Sequence, residues 1–444
     1  MKLFKAEIVH YNGVFYRDYG ILVESDTIKA VEPVSNLQAQ YKDQIDEIIE
    51  WKDQVIVAGT VNVHNHSFQS LLRGIAADRP FLEWRDESLY KFSKRMTLED
   101  IYHGALFAFA EMMKRGVTTV CDFFYLHNFG TESDEAVIQA AKDVGIRLVL
   151  ARTMYDWEGA PKGYVETIDE AVTHTRDLFY KYKEDDMVNI VPAPHSLHAA
   201  TPKMIIAGHK LAKELGTKFH IHVAEEPFEV EECRLAHNGM TVIEYLDSIE
   251  VVDEHMMIVH GVYLKEEEIK LLGAKGASLA YCPSSNMFLA DGITNIPAMM
   301  EAGVTIGLGS DGACSNNRIS VFEEMRMVSI LQKASTCNAM CVNYHQSFDM
   351  GTVNGGKILD LPIGEIKEGK KADFVSIDLN DFSMQPMNEQ LEQMLPNIVY
   401  SMEPTAIKHV VVNGDFTVSH GRLAKQKEED VIKGVKDTMS RFYQ

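Results

Sequence analysis

Long apolar runs, paired cysteines and an excess of basic residues are all absent from this chain. No stretch reaches the roughly 18 uninterrupted apolar residues that span a bilayer. The six cysteines are scattered and form no CxxC pair, which argues against a disulfide scaffold. Lysine and arginine number 43 against 65 acidic residues, and the acids are spread along the chain. This balance, a formal charge of −22, argues against binding nucleic acid or an anionic membrane.

A signal peptide and a dinucleotide-binding loop are missing as well. Charges interrupt the apolar residues of the first segment, MKLFKAEIVHYNG, so we expect a cytoplasmic protein with reduced thiols. No GxGxxG follows the first strand pattern, so an open dinucleotide-binding sheet has no support. At 444 residues, 46% of them hydrophobic, the chain is long enough for a large barrel or for two to three domains.

Short β-branched runs alternate with longer helical patterns between residues 55 and 312. These runs are apolar throughout, which favours parallel strands covered on both faces. The runs are 55–63, 118–124, 146–153, 188–195, 218–225, 256–261, 277–283 and 305–312. Eight strands, each followed by a helix, are typical of a (β/α)8 TIM-type barrel. We therefore predict an α/β fold with such a barrel over residues 55–364.

The two ends of the chain are rich in short strand-like segments with turn residues, over 1–54 and 365–425. Each end is too small to hold a hydrophobic core alone. We therefore predict that both ends pair into one composite domain, a small β-sandwich. Residues 426–444 have the pattern of a closing amphipathic helix.

Histidine collects at the carboxyl ends of the predicted strands, where barrels of this type place functional groups. The first strand ends in VNVHNH, so two imidazoles leave the same face of an extended chain. Six of the 17 histidines lie at four of these strand ends: His64, His66, His195, His220, His222 and His260. Six satisfied core histidines at one rim would be costly to bury. The concentration therefore indicates a metal centre.

His64, His66 and His222, with the carboxylate of Asp311, have the composition of a catalytic zinc site that keeps one position open for water. A bound divalent ion would lower the pKa of that water to about 7. Asp311 would take the proton of the water, and Glu225 would carry it to a leaving nitrogen. His260 would position the water or the substrate, whereas His220 is expected outside the ligand set.

The motifs VNVHNH, HVAEE, VHG and GSDGACSNN resemble, in order and spacing, the deaminase branch of the amidohydrolase superfamily. The resemblance covers essentially the whole chain and implies hydrolytic deamination of a C(=N)–NH₂ centre with release of ammonia. It implies one divalent ion per subunit, zinc or else iron, held by the four residues named above. Glu225, His260 and Asp311 would be catalytic. It further implies a small-molecule substrate and a homo-oligomer, a dimer or larger.

The motifs resemble two groups of enzymes within that branch, which act on different substrates, so the sequence does not decide between the two substrate classes. HNHSFQSLLRG, WRDESLYKF and APHSLHAATP resemble formiminoglutamate deiminase, which implies a formimino amino acid or a creatinine-like ring. On that resemblance Gln69 would contact the amidine, and Arg85 and Tyr125 would hold the acidic part of the substrate. His195 also matches. His198 lies among these residues, in the place of an arginine that would clamp a carboxylate.

The segments LLRGIAADRPFLEW and LGSDGACSNNRISVFEEMRM instead resemble the deaminases of S-adenosylhomocysteine, methylthioadenosine and triazines. The alternative substrate is therefore an aminated heterocycle: adenosine-derived, guanine- or pterin-like, or an s-triazine. Arg73, Trp84 and Arg85 follow the first strand and would shape the pocket. A barrel that binds a ligand without turnover is the other alternative, but it predicts gaps in the polar set, and every expected position is filled.

Overall fold

The alternating runs form strands, and the stretches between them form helices, in the computed structural model, which describes residues 1–443. In chain order the strands are β1 (Lys2–Tyr11), β2 (Val14–Arg17), β3 (Tyr19–Glu24), β4 (Thr27–Pro33), β5 (Glu47–Ala58), β6 (Thr60–Asn65), β7 (Val117–Phe124), β8 (Asn128–Gly130), β9 (Arg147–Met154), β10 (Val188–Pro194), β11 (Phe219–Val223), β12 (Met256–His260), β13 (Ser278–Tyr281), β14 (Thr305–Leu308), β15 (Phe374–Asp378), β16 (Ile407–Val412), β17 (Asp415–Ser419) and β18 (Arg422–Leu423).

Helices separate the central strands and close the chain. They are α1 (Val34–Gln40), α2 (Phe81–Arg85), α3 (Lys91–Ser93), α4 (Leu98–Lys114), α5 (Thr131–Val144), α6 (Ile168–Tyr182), α7 (Pro202–Leu215), α8 (Pro227–Ala236), α9 (Val242–Ser248), α10 (Glu266–Lys275), α11 (Pro283–Leu289), α12 (Ile296–Glu301), α13 (Val321–Thr336), α14 (Tyr344–Gly351), α15 (Val353–Ile358), α16 (Met394–Tyr400) and α17 (Glu428–Phe442). Within residues 1–443, none of them combines the length and the apolar character needed to cross a bilayer.

Parallel strands form two four-stranded sheets, in the orders β10–β9–β7–β6 and β11–β12–β13–β14. Backbone hydrogen bonds connect the two sheets at both junctions. His222 N donates to His195 O at 2.9 Å, and Asp311 N donates to His64 O at 3.0 Å. Residues on both faces of β7 and β9 are buried, as expected for apolar strands between helices. The predicted α/β class is confirmed.

The first predicted strand, 55–63, is wrong in its extent. Residues 55–58 end β5, which pairs with β1 and β15, and β6 begins only at Thr60. The chain changes sheets at Gly59, where a Cβ atom would lie 2.3 Å from the side chain of Thr118. A continuous apolar run does not reveal this change, because both halves of the run are buried within sheets.

The ends of the chain pair into one nine-stranded sheet, ordered β18–β17–β16–β15–β5–β1–β3–β4 with β2 beside β1. Aromatic side chains from both ends meet in its core, where the rings of Phe4 and Phe374 lie 4.9 Å apart. The closing helix predicted over 426–444 appears as α17 within the described residues. The predicted division into a composite domain (1–54 and 365–425), a barrel (55–364) and this helix stays a prediction.

A buried ion pair connects Arg147 on β9 with Asp373, which directly precedes β15 of the terminal sheet. Arg147 Nη2 donates to Asp373 Oδ2 at 3.1 Å, and the two side chains are 2% and 1% exposed. Changing Arg147 to Met would leave the carboxylate buried without its cation. We expect a loss of about 3–5 kcal/mol in the free energy of unfolding, measured by urea denaturation.

The matched control is Lys270→Met, which removes an ion pair with Glu266 whose side chains are more than 70% exposed. Water already screens this pair, so the expected loss is below about 1 kcal/mol. Equal losses in the two variants would contradict a structural role for the buried pair.

Candidate active site

The carboxyl ends of β6, β11, β12 and β14 converge on one buried point. The ligand atoms of His64, His66 and His222 lie within 4.8 Å of one another, as do those of His64, His260 and Asp311. Asp311 Oδ1 lies 3.5 Å from His64 Nε2 and 3.3 Å from His66 Nε2. All of these side chains are buried. Residues that are distant in the sequence therefore form a single cluster that could hold a metal ion.

Backbone carbonyls orient two imidazoles towards the cluster. His66 Nδ1 donates to Phe123 O at 2.6 Å, and His222 Nδ1 donates to His195 O at 3.1 Å. An imidazole that donates from Nδ1 keeps a lone pair on Nε2. Both ring nitrogens of His64 are buried without a hydrogen-bond partner. A bound cation would satisfy these atoms, so the residues present fit a zinc-type ion.

The charge states of these groups suit a cation. Burial, with repulsion from His64, lowers the pKa of His66 to about 4. Burial also lowers the pKa of His222 well below its usual range. Burial opposes ionisation of Asp311, but the imidazole of His64 close to it, together with those of His66 and His260, holds its pKa well below the ordinary value. Neutral imidazoles and one carboxylate form a donor set that zinc and iron both accept.

The Asp311 carboxylate is held by residues of α11, which follows β13, and of the loop after β14. Ser285 Oγ donates to Asp311 Oδ2 at 2.6 Å, and Gly312 N donates to Oδ1 at 2.7 Å. The backbone of Asp311 has a φ of 57°, in the left-handed region that costs a non-glycine residue free energy. The surrounding contacts offset this cost and aim the carboxylate at the histidines.

Glu225 and His260 face each other beside the cluster, with Glu225 Oε1 3.2 Å from His260 Nε2. Burial, and then the charges of nearby carboxylates such as Asp291, raise the pKa of Glu225 well above its usual value. A carboxyl group with a raised pKa can hold and release a proton near neutral pH. Burial lowers the pKa of His260 to about 3, so this imidazole is neutral.

Three predicted substrate-binding residues border the cluster. The ring of Tyr125 lies 5.3 Å from that of His66, and the ring of His195 stacks on His222 at 4.8 Å. Gln69 Nε2 donates to Tyr125 OH at 3.0 Å. The structure thus places Gln69, Tyr125 and His195 within reach of a molecule bound at the cluster, and their contact with substrate stays a prediction.

Arg85 and His198 lie farther out. The guanidinium of Arg85 is 4.6 Å from the ring of Tyr90 and 5.8 Å from that of Trp157. Burial, and then the charge of Arg85, lower the pKa of His198 to about 4. His198 connects to His195 through a serine hydroxyl between their Nδ1 atoms, at 3.1 and 3.0 Å. The predicted contact of Arg85 and His198 with the substrate stays a prediction.

Arg73 does not shape this pocket, contrary to the prediction. It pairs with Glu111 on α4, lies over the ring of Phe107 at 5.4 Å, and lines a separate cavity of about 560 Å³ between α4 and α17. Trp84 is buried, and its Nε1 donates to Cys314 O at 3.0 Å, beside the loop after β14. Sequence spacing alone did not distinguish Arg73, which pairs with α4, from Trp84, which packs beside the loop after β14.

Several site residues escaped the sequence analysis. Tyr155 packs 4.9 Å from the ring of His195, and Tyr164 packs 4.9 Å from that of Tyr125. Ser285 and Asn286 lie in the segment CPSSN, directly after β13. The rule that functional groups follow barrel strands would have found the last two. The same rule would have found Tyr155, which directly follows β9, whereas Tyr164 lies ten residues beyond that strand, where no strand end marks it.

The amidohydrolase family profile matches residues 55–417. The chain belongs to the amidohydrolase family. It is similar to the 5-methylthioadenosine/S-adenosylhomocysteine deaminase of Pelotomaculum thermopropionicum, with 31% identity covering 94% of this chain and 92% of that protein. It is equally similar to the 5'-deoxyadenosine deaminase of Methanopyrus kandleri, with 31% identity covering 94% and 93%. An amidohydrolase of this kind is a hydrolase acting on carbon–nitrogen bonds, so the predicted enzyme class is confirmed.

A solved structure extends the similarity to the fold. An adenosine deaminase from Xanthomonas campestris with bound zinc superposes with a TM-score of 0.92 and 25% identity, covering 100% of this chain and 98% of that one. The formimino amino acid or creatinine-like substrate that was expected first has no support among these relatives.

Proposed function

We propose that this amidohydrolase is a metal-dependent deaminase of an adenosine-derived compound. The observation that carries the proposal is the buried cluster of His64, His66, His222 and Asp311, with Glu225 beside it. The names of its relatives, which match over nearly the whole chain, support the adenosine-derived substrate over the other heterocycles.

The surroundings of the cluster also support a ring-shaped substrate. Tyr125, Tyr155, Tyr164 and Trp84 are buried near the site, where Tyr125 packs against His66 and Tyr155 against His195. Aromatic faces pack well against a planar heterocycle. A small acyclic dicarboxylate would instead need paired cations, and His198 stands where the second clamping arginine would be.

We infer that His64, His66, His222 and Asp311 hold one divalent ion per subunit, zinc or iron. When bound, such an ion lowers the pKa of a water molecule from 15.7 to about 7. In the reaction the water oxygen bonds to the ring carbon and the C–NH₂ bond breaks. Asp311 accepts one proton from the water, and Glu225 carries this proton to the nitrogen so that ammonia leaves, while the other proton of the water stays on the product oxygen. His260 donates a hydrogen bond from Nε2 to the attacking oxygen.

The proposal takes the eight parallel strands as one closed (β/α)8 barrel. The hydrogen bonds at both sheet junctions support closure. Apolar clusters on two faces of the terminal sheet, one around Phe4 and one around Leu3, support the β-sandwich. We also infer a homo-oligomer, a dimer or larger, on the resemblance alone.

Ammonia release tests the substrate class. We expect the zinc-loaded protein to release ammonia from at least one of adenosine, 5'-deoxyadenosine, methylthioadenosine and S-adenosylhomocysteine. Formiminoglutamate and creatinine are the control compounds, and we expect no release from them. If ammonia were released only from the control compounds, the substrate would belong to the amidine class instead. If no compound released ammonia, the proposal would be contradicted.

Removal of the metal tests the cluster. We expect chelation followed by dialysis to lower the rate by at least about 100-fold, because a nucleophile at neutral pH depends on the ion. Zn²⁺ or Fe²⁺ should restore the rate. Mg²⁺ is the control and should not, since it prefers oxygen ligands. A rate unchanged by chelation would contradict a metal-dependent mechanism.

A further inference from the structure

We propose that Asn286 is a positioning residue that fixes the tautomer of His260, and that Asp291 holds Asn286 in the orientation required. The inference rests on the proposed function for its kinetic consequence. Asn286 lies after β13, and its side chain donates hydrogen bonds to His260 and Asp291, neither of which is an inferred metal ligand.

The three side chains form a buried chain of hydrogen bonds. Asn286 Nδ2 lies 3.0 Å from His260 Nδ1 and 3.0 Å from Asp291 Oδ2. All three residues are at most 1% exposed, so water does not compete for these contacts. The amide nitrogen of Asn286 has two hydrogens and faces both acceptors, so it donates one hydrogen to Asp291 Oδ2. The same nitrogen then donates its second hydrogen to His260.

This orientation determines where His260 carries its proton. Because Nδ1 accepts from Asn286, the neutral ring holds its hydrogen on Nε2, the atom that lies 3.2 Å from Glu225 Oε1. His66 and His222 have the opposite arrangement, since their Nδ1 atoms donate to carbonyls. The cluster therefore contains imidazoles of both tautomers. The partner of Nδ1 is a carbonyl in the inferred ligands His66 and His222 and an amide in the hydrogen-bond donor His260.

Backbone contacts hold this unit rigid. Thr294 Oγ1 donates to His260 O at 2.8 Å, and Asp291 N donates to Asn286 O at 2.9 Å. His260 has a φ of 67°, a conformation that needs support from its surroundings. The segment from Asn286 to Thr294 thus holds His260 at two points: Thr294 bonds its backbone carbonyl, and Asn286 bonds its ring.

Nuclear magnetic resonance on the zinc-loaded full chain, labelled with ¹⁵N-histidine, tests the tautomer without any substrate. The His260 signals are identified by their loss in His260→Gln. We expect an Nε2–H tautomer in the wild type, a shift towards a tautomer mixture in Asn286→Ala, and a second, minor signal in the isosteric Asp291→Asn. Asn295→Ala is the matched control: Asn295 lies on the same loop, caps α12 and is exposed, so His260 should be unchanged.

Kinetics on the substrate identified by ammonia release supply the second readout. We expect kcat of Asn286→Ala to fall about 10- to 100-fold, the usual effect of removing an outer partner of an active-site group. KM and zinc content should stay at wild-type values. Asp291→Asn should lower kcat in the wild-type background and add nothing in the Asn286→Ala background, because it acts through Asn286.

An Nδ1–H tautomer in the wild type, or an unchanged tautomer in Asn286→Ala, would overturn the proposal. Independent, additive losses in the double variant would overturn the part assigned to Asp291. If no tested compound releases ammonia, the proposed function fails, whereas the resonance experiment still decides the tautomer. Should Asn286→Ala not fold, Asp291→Asn preserves shape and carries the same test.

Discussion

Asp311→Asn and His66→Ala should each lower kcat/KM by about 10⁴-fold, the order found when one member of a catalytic unit is removed. Asp311→Asn keeps the shape of the side chain but removes the charge that lies 3.3 Å from His66 Nε2. His66→Ala removes an imidazole that its bond to Phe123 O has already oriented. In both variants the zinc content, measured by elemental analysis, should fall with the activity.

The matched control is His209→Ala. His209 is also buried, but it lies on α7 and pairs with Asp253 at 2.8 Å, away from the cluster. We expect this variant to lose stability while it keeps its zinc and its rate. Near-normal turnover in His66→Ala or Asp311→Asn would contradict the assignment of the cluster as the metal site.

Glu225→Gln should lower kcat by about 10³-fold, within the range that general acid–base catalysis contributes. Glutamine has the same size as glutamate but cannot carry the proton that the raised pKa of Glu225 allows it to hold. Glu225 is not among the groups that meet as metal ligands, so zinc content and KM should stay at wild-type values.

Glu268→Gln is the control for this variant. Glu268 is another buried glutamate, but its oxygens accept from Ile243 N and Lys265 N at 3.1 and 2.9 Å, remote from the cluster. Its loss should change stability and leave kcat unchanged. If Glu225→Gln retained full activity, or lost its zinc together with its rate, a role in proton transfer would be refuted.

Local sequence patterns predicted the parts of the site that depend on strand geometry. His64 and His66 project together because alternate residues of a strand share a face, and HVAEE and GSDG mark the ends of two further strands. These patterns are local, because the direction of a side chain on a strand does not depend on how distant segments pack. The same rule applied to CPSSN would also have pointed to Ser285 and Asn286.

Other features depend on contacts between distant segments. Arg73 turns away from the pocket because Glu111 on α4 pairs with it, and no spacing along the chain encodes that choice. The change of sheet at Gly59 depends on Thr118 filling the space of a missing side chain. The proposed substrate class likewise rests on the buried aromatic residues near the site and on the relatives, because motifs that resemble two groups of deaminases overlap within the same loops.

From the order of its residues alone, this chain could be assigned parallel strands with helices between them, a rim of histidines and carboxylates, and an amidohydrolase-like chemistry. The strands and the rim follow from periodicity and residue type, which act over a few positions, and the chemistry follows from the resemblance of the motifs to a known family. Only the tertiary structure decided which nitrogen of each imidazole faces the centre. That choice is made by partners far along the chain: Phe123 O for His66, His195 O for His222 and the Asn286 amide for His260. A neutral imidazole can carry its proton on either ring nitrogen, and the hydrogen-bond partners decide which one.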